Sequence, residues 1–281
     1  MSGFFMSKNS HKFNLENHCM QTKVYYVGDW AILTGPVFAE TPFHHSPKGL
    51  EVFNYGLWLK EALEKDPSYF VNSVSAWDYY NQIGPGDYEK ILEDYQLIIY
   101  SDVDAKLFQL SPKFFDRSKF GKEVLTFPDR IRLTVEHVHA GGRYMFLGGW
   151  YSFTGELGKG GWGRTRLAEI LPVKCLDIED LVENTEGFSM EMTEDGKRIC
   201  PTLNLTGCPP ILGYNKTIPK KDSIVIANFK ETGDPAIVLQ SFGKGKVLVY
   251  TSDPSPHWGC NFVYWDGYSA FWQTLANTVM A

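Results

Sequence analysis

Cysteine is scarce, and its placement excludes more than its number does. The five, Cys19, Cys175, Cys200, Cys208 and Cys260, are odd in count and scattered, so they outline no disulfide framework. A reducing compartment fits that usage. No apolar run is long enough to cross a bilayer. Basic excess is missing too: the net charge is -6 and the pI about 5.7. No face therefore speaks for nucleic acid or a membrane surface. The opening residues, MSGFFMSKNSHKFNLENHCMQT, lack the apolar core of a signal peptide. They read as a loose or partner-bound tail over residues 1–22, and a cytoplasmic address follows by elimination. Internal repeats and low-complexity segments are absent.

Metal-ligand spacing is also missing. His44-His45 is a loop pair with no third ligand, and His137 and His139, two apart on an expected helix, do not face each other. Cys200 and Cys208 lack the paired spacing of a zinc site. No metal and no cofactor are expected. The glycine-rich GELGKGGWGRTR, Gly155 to Arg166, is not a phosphate loop, because no Gly-Lys is followed by Ser or Thr at the required place. It reads as a surface loop, with an anion-binding lid as the sharper alternative.

What the chain does contain is enough to build a large core. Hydrophobic residues make up 43%, and there are 8 Trp, 15 Tyr and 19 Phe. A chain of 281 residues buries a core without covalent staples. From Lys23 strands and helices alternate. KVYYVGDW reads as a first strand. Gly49 to Lys65 reads as a helix with Val52, Tyr55, Leu59 and Ala62 or Leu63 on one face, stopped by Asp66-Pro67. YFVNSVSA follows as a strand. YQLIIYSD, Tyr95 to Asp102, is a continuous apolar run of the kind buried on both faces of a parallel sheet. Pro128 opens the next expected helix, with Ile131, Val135 and Val138 inward and Gly141-Gly142 as its stop. RYMFLGG is a fourth strand. The second half differs. After the short helical piece TRLAEILPV come SIVIANF, PAIVLQSF and KVLVYTSD, a meander whose last strand is expected to return to the main sheet. Tyr268 to Met280 closes the chain as a helix facing inward through Phe271, Trp272, Leu275 and Val279. The expected architecture is α/β, a doubly wound, mostly parallel sheet, as one domain over residues 23–281 with a β-rich insertion at about 172–240.

In an open α/β sheet ligands bind beyond the carboxyl ends of the strands. That rule selects Gly28-Asp29-Trp30, Ser101 to Asp104, Gly148 to Phe153 and Ser252 to Trp258. The third is the most informative. MFLGGWYSFTG runs an apolar strand into a glycine-bearing turn, the layout of a nucleophile elbow.

At this point the sequence resembles a known family. FLGGWYSFTGELGKGGWGRTRLAEILPV, ILGYN at Ile211 to Asn215 and TSDPSPHWG at Thr251 to Gly259 look like the motifs of the glutamine amidotransferase-like proteins, as does the closing aromatic helix. The resemblance runs from about Lys23 to the C-terminus. It implies a class I glutamine amidotransferase-like fold with a flavodoxin-like sheet. In class I amidotransferases the elbow reads roughly G-x-C-x-G, and its cysteine forms a glutamyl thioester. A histidine-x-glutamate pair after the last strand activates it. Sliding LGGWYS onto that pattern sets Trp150 at the cysteine and Ser152 at the second glycine. An indole offers only a donor and cannot attack a carbonyl. Asp253 and His257 follow the last strand, without a histidine-x-glutamate.

The resemblance therefore implies a fold without its thioester chemistry. Two readings follow. In the first, the cleft is a binding module for a small molecule or a partner, drawing on Asp29, Trp30, Asp102, Gly149, Trp150, Tyr151 and Trp258. In the second, Ser152 is a substitute nucleophile with His257 as base and Asp253 or Asp102 as orienter. A third, weaker reading is a structural homo-oligomer, since exposed Trp and Tyr are common in interfaces.

Overall fold

The computed structural model describes residues 21–34, 38–41, 44–46, 50–84, 86–110, 112, 115–123 and 126–281. The tail expected over residues 1–22 lies outside the described residues as far as residue 20, and Thr22 already opens the first strand. The chain begins with β1 (Thr22–Gly28), then β2 (Trp30–Thr34), β3 (Phe38–Thr41), β4 (His44–Ser46) and β5 (Leu50–Asn54), helix α1 (Leu57–Glu64) and β6 (Tyr69–Val74). Helices α2 (Ala76–Gln82) and α3 (Asp87–Asp94) lead to β7 (Leu97–Ser101). Helices α4 (Ala105–Gln109) and α5 (Arg130–Ala140) lead to β8 (Arg143–Leu147). After α6 (Leu167–Ile170) come β9 (Val173–Cys175), β10 (Leu181–Phe188), β11 (Met190–Met192), α7 (Glu194–Ile199), β12 (Ile211–Asn215) and β13 (Thr217–Pro219). The meander β14 (Ile224–Phe229), β15 (Pro235–Phe242) and β16 (Gly245–Tyr250) precedes the closing helix α8 (Tyr268–Met280).

Eight strands form the main sheet in the order β11-β14-β15-β16-β8-β7-β1-β6. From β6 to β16 every pairing is parallel. From β16 to β11 every pairing is antiparallel. The sequence led us to expect only the last meander strand in this sheet. All three belong to it, because β16 offers one edge to β8 and the other to β15. Two short ribbons, β10–β12 and β9–β13, form separate two-stranded sheets.

Alternation along the strands divides the core in two. Val24 and Tyr26 enter one cluster with Leu59 of α1 and Trp272 of α8. Tyr25 and Val27 enter another with Tyr79, Ile131 and Val135. All five residues of β7 are buried, as a central parallel strand requires. Helix α5 starts where Asp129, not Pro128, caps it: its carboxylate accepts from the Ile131 N–H at 2.8 Å. It stops at Gly141, whose φ of 133° no other residue adopts readily.

The helix expected over Gly49 to Lys65 is two elements. Residues Leu50–Asn54 form β5, an antiparallel partner of β2 with Ile32 opposite Val52. Helix begins only at Leu57, after the Gly56 N–H has bonded to the Asp29 carbonyl at 2.8 Å. The branched and aromatic residues Val52 and Phe53 suit a strand once a partner strand is present. At the outer edge, α1 blunts β6. Glu64 accepts from the Val71 N–H at 2.9 Å and Lys60 donates to the Val71 carbonyl at 2.7 Å, occupying the groups a further strand would need.

Candidate functional site

Register brings four strand ends level. Gly28 lies beside Ser101, Ser101 beside Leu147, and Leu147 beside Tyr250. Asp29, Asp102, Gly148 and Thr251 therefore emerge next to one another, and the four segments selected from the sequence meet along one edge. After β1 the chain moves outward to β6 and then returns to the other side of β1 with β7, so strand order reverses between Asp29 and Asp102. Both aspartates have left-handed backbones, with φ of 53° and 50°. The approach is close: a Cβ on Gly28 would fall 1.7 Å from the Ser101 carbonyl oxygen. Asp29 is buried and accepts from the Tyr26 hydroxyl. Burial holds its pKa well above the usual carboxylate range against that hydrogen bond, with Asp253 and Asp102 adding to the rise.

The turn after β8 is clamped from three sides. Gly148 donates to the carbonyls of Tyr250 and Ser252 at 2.9 and 2.8 Å. Gly149, with φ of 141°, donates to Asn215 Oδ1 at 2.9 Å, and its carbonyl accepts from Asn215 Nδ2 at 3.1 Å. The Tyr151 N–H donates to Asp102 Oδ1 at 2.6 Å. Burial pushes the Asp102 carboxyl up to about 6, with that N–H working the other way. The unusual backbone thus sits at Gly149, one residue before the Trp150 to which alignment on the cysteine pattern points. A Cβ there would meet the Asp102 side chain at 2.6 Å. Ser152 is fully buried, donates through Oγ to the Leu147 carbonyl at 2.7 Å and accepts from the Asp102 N–H at 3.1 Å. Among the described residues no hydrogen bond joins it to His257.

His257 faces Trp150 instead. Their ring centroids are 4.3 Å apart at 72°, an edge-to-face pair. The other side of His257 is fixed by buried Asp253, whose Oδ2 lies 2.5 Å from Nδ1. Asp253 also accepts from the Ser255 N–H and hydroxyl, both at 3.2 Å. Burial opposes the imidazolium, but the Asp253 hydrogen bond and charge, with Asp102 and Glu183, raise the His257 pKa above its ordinary value. Trp258 donates from Nε1 to Glu183 Oε1 at 2.8 Å, and Trp150 reaches the same oxygen at 3.4 Å. A cavity of about 290 Å³ opens here, lined by Glu183, Asn184, Thr185, Leu212, His257 and Trp258. Trp150, at 43% exposure, leaves much of its indole open to solvent beside it.

A family model described as "Putative glutamine amidotransferase" matches residues 48–281. The chain belongs to this amidotransferase family. Two solved structures are similar to it over nearly their whole length. One is a cytoplasmic protein from Salmonella typhimurium LT2, 28% identical with a TM-score of 0.74, covering 92% of this chain and 99% of its own. Another, from Salmonella typhimurium, is also called a cytoplasmic protein; it is 25% identical with a TM-score of 0.77, covering 91% of this chain and 98% of its own. A β-galactosidase from Rahnella sp. R3 shares the fold alone, at 15% identity and a TM-score of 0.50 over 31% of its chain. A comparison with curated proteins found no match.

In this amidotransferase-like chain, no described thiol stands at the turn. Burial pushes Cys175 and Cys208 up to about 12, and Cys175 packs against Gly163. Trp30 is not gathered into the cluster: its indole points to Ser73, at 3.4 Å, and packs edge-on to Trp77. Tyr151 contributes its N–H to Asp102, while its ring lies 5.6 Å from the Lys159 ammonium. The glycine-rich segment is packed down rather than free. Trp162 is fully buried and donates to the Val103 carbonyl at 2.8 Å, and the Gly160 carbonyl accepts from the Ala105 N–H at 2.8 Å. His137 is engaged with the Tyr144 hydroxyl at 2.8 Å. Among the described residues no group of three His, Cys, Asp or Glu is placed to hold a metal, and no helix is long and apolar enough to cross a membrane.

Three residues of the site escaped sequence reasoning. Asn215 ends the quoted ILGYN motif, which marked its place but not its role. Asp180 is buried and accepts from the N–H groups of Thr154 and Gly155 and from Asn215 Nδ2, all at 2.9 Å. It ties the turn after β8 to β12. Glu183 lies on an exposed stretch of β10 and carries no local signal at all.

Proposed function

We propose that this chain keeps the amidotransferase architecture and uses its cleft to bind a small molecule, without acyl transfer. One observation carries the reading: the residue two places after β8 has a φ that suits glycine and is Gly149, the place of its missing Cβ is taken by the Asp102 side chain, and the next residue is an indole packed on His257. A thioester needs a thiolate at that turn, and an indole nitrogen has no lone pair to offer. The Asp253–His257 pair is oriented as a base would be, yet Trp150 occupies the space before it. The same groups suit a guest. Trp258 and Leu212 supply apolar walls, the exposed indole of Trp150 flanks the opening beside His257, and His257 and Glu183 supply orientation. Ser152 weighs against the hydrolase alternative, since both of its hydrogen-bonding directions are taken inside the fold.

The order β6-β1-β7-β8-β16 of the parallel strands supports a flavodoxin-like sheet, with the ligand near its switch point. The domain is taken as residues 23–281, with the β-rich segment at about 172–240 carried between the fourth and last parallel strands. The names of the two Salmonella proteins support a cytoplasmic setting.

The experiment pairs a glutaminase assay with a ligand screen. Purified protein is expected to release no ammonia from glutamine and to form no adduct with a diazo-ketone glutamine analogue in intact-mass spectra. Ammonia release that disappears in His257→Ala would overturn the proposal. A metabolite library followed by thermal shift is expected to yield a ligand whose stabilisation is lost in Trp150→Ala. Stabilisation indifferent to Trp150 and His257 would remove the pocket from the proposal.

A further inference from the structure

The segment that walls the His257 pocket is chemically one-sided. Between Lys174 and Lys197 the chain carries no Lys, Arg or His, and Glu179, Glu183 and Glu186 are exposed along it. Glu183 lines the cavity together with Asn184, Thr185, Leu212, His257 and Trp258. Register sets Glu183 beside Gly213 of β12, and Trp258 lies over that glycine, where a Cβ would meet the indole at 2.5–2.7 Å. Both indole N–H groups of the site converge on one atom: Trp258 and Trp150 donate to Glu183 Oε1, at 2.8 and 3.4 Å. Among the described residues Glu183 Oε2 accepts no hydrogen bond. The carboxylate therefore keeps a free oxygen, and the indoles offer carbon rather than donors.

The electrostatic field at the pocket has one sign. On the lining only His257 can carry positive charge, and it is held by Asp253. Lys216, which follows β12, is paired with Asp234 at 3.2 Å. Burial works against the imidazolium, yet Asp253, Asp102 and Glu183 outweigh it and favour the charged ring. Three carboxyl groups thus face one imidazole. An anion would meet that surplus, and a neutral guest would gain nothing from it. A cation with an N–H gains twice. It can donate a charge-assisted bond to Glu183 Oε2. It can also lie against Trp150, whose 43% exposure leaves ring surface open beside the cavity.

We propose that the His257 pocket selects a small organic ammonium ion that carries N–H groups and no carboxylate. The inference rests on the reading of this cleft as a small-molecule site and adds the class of guest. Glu183 Oε2 takes the ammonium, Trp150 flanks it, and Leu212 and Trp258 receive the hydrocarbon part. A carboxylate on the guest would be set against Glu183, so a zwitterion such as glutamine fits less well. The cavity, about 290 Å³, lies at the low end of the roughly 300–1,000 Å³ of small-molecule sites and suits a compact amine.

Isothermal titration calorimetry on the full chain at neutral pH tests this with phenethylamine, tyramine, putrescine and agmatine. The comparators are 2-phenylethanol, 3-phenylpropionate, trimethylphenethylammonium, which has no N–H, and glutamine. At least one amine is expected to bind at least about tenfold tighter than every comparator. Glu183→Gln keeps the side-chain shape and an acceptor for Trp258, and should weaken that amine by at least about tenfold. Trp150→Ala should weaken it by about threefold or more. Glu191→Gln, at an exposed glutamate off the lining, should leave it unchanged. Failure of every amine to bind overturns the inference. So does a comparator that binds as tightly as the best amine, or an affinity indifferent to both Glu183→Gln and Trp150→Ala. The underlying reading is judged separately. A non-amine ligand from the metabolite screen that is lost in Trp150→Ala, with no amine bound, would overturn the ammonium assignment and leave the binding site standing. Glutamine hydrolysis that needs His257 would remove both.

Discussion

The glycine at the turn offers the sharpest test of the proposal that no nucleophile can stand there. Gly149→Ala adds one methyl group. It would force a φ of 141° on a residue that avoids it, at about 1–3 kcal/mol. The new Cβ would also fall 2.6 Å from the Cβ, Cγ and Oδ1 of Asp102. Relief requires Asp102 to move off the Tyr151 N–H, leaving a half-buried donor unpaired at about 1–3 kcal/mol more. The sum, about 2–6 kcal/mol, corresponds to a melting-temperature drop of roughly 5–20 °C in a domain of this size. Urea unfolding and calorimetry on the purified variant measure it. The mechanism has an internal control. Asp102→Gly removes all three obstructing atoms, and its φ of 50° suits glycine. The double variant should therefore cost at least about 1 kcal/mol less than the sum of the singles. Gly149→Cys meets the same obstruction and should gain no glutaminase activity. A Gly149→Ala protein that melts within about 1 °C of the parent would refute the reasoning, because no strain or displacement would then exist to be relieved.

Other expectations follow from the same edge of the sheet. The His257 pKa is raised, so its contribution to stability is complete below the ordinary imidazole value of about 6.5 and is lost as pH rises through the folded value. Asp253→Asn should lower the imidazole titration seen by NMR and flatten that loss in urea unfolding at a series of pH values. The Asp102 carboxyl should titrate near 6 by carbon NMR. Folding favours its protonated form, so this stabilisation is present below about 3.9 and disappears as pH rises through 6. Asn215→Ala leaves the Gly149 N–H without its partner and takes one of two donors from both the Gly149 carbonyl and Asp180 Oδ1, and should cost about 1–3 kcal/mol in urea unfolding. A fluorophosphonate probe should leave Ser152 unlabelled under native conditions; labelling detected by peptide mass spectrometry would restore the hydrolase reading.

What the sequence determined by itself is the set of locally encoded elements and the sheet edge that carries the candidate site. The apolar run at β7, the Gly141 stop of α5 and the inward stripe of α8 are legible because each depends on residues a few positions apart, whereas the start of α5 reads as Pro128 and is set by the Asp129 cap. The strand-end rule selected Asp29, Asp102, Gly149, Asp253 and His257 for the same reason: each lies in the segment that follows a recognisable strand. Only the tertiary structure decided the rest. Residues 50–54 become strand because β2 pairs with them, overriding a periodicity that reads as helix. The backbone, not the alignment, shows that the turn needs a glycine at Gly149. Glu183, Asp180 and Asn215 enter through bonds spanning 25 to 75 residues. A side chain's local sequence cannot specify a partner that distant; the sheet register and the two ribbons bring the partners together, and those exist only once the chain has folded.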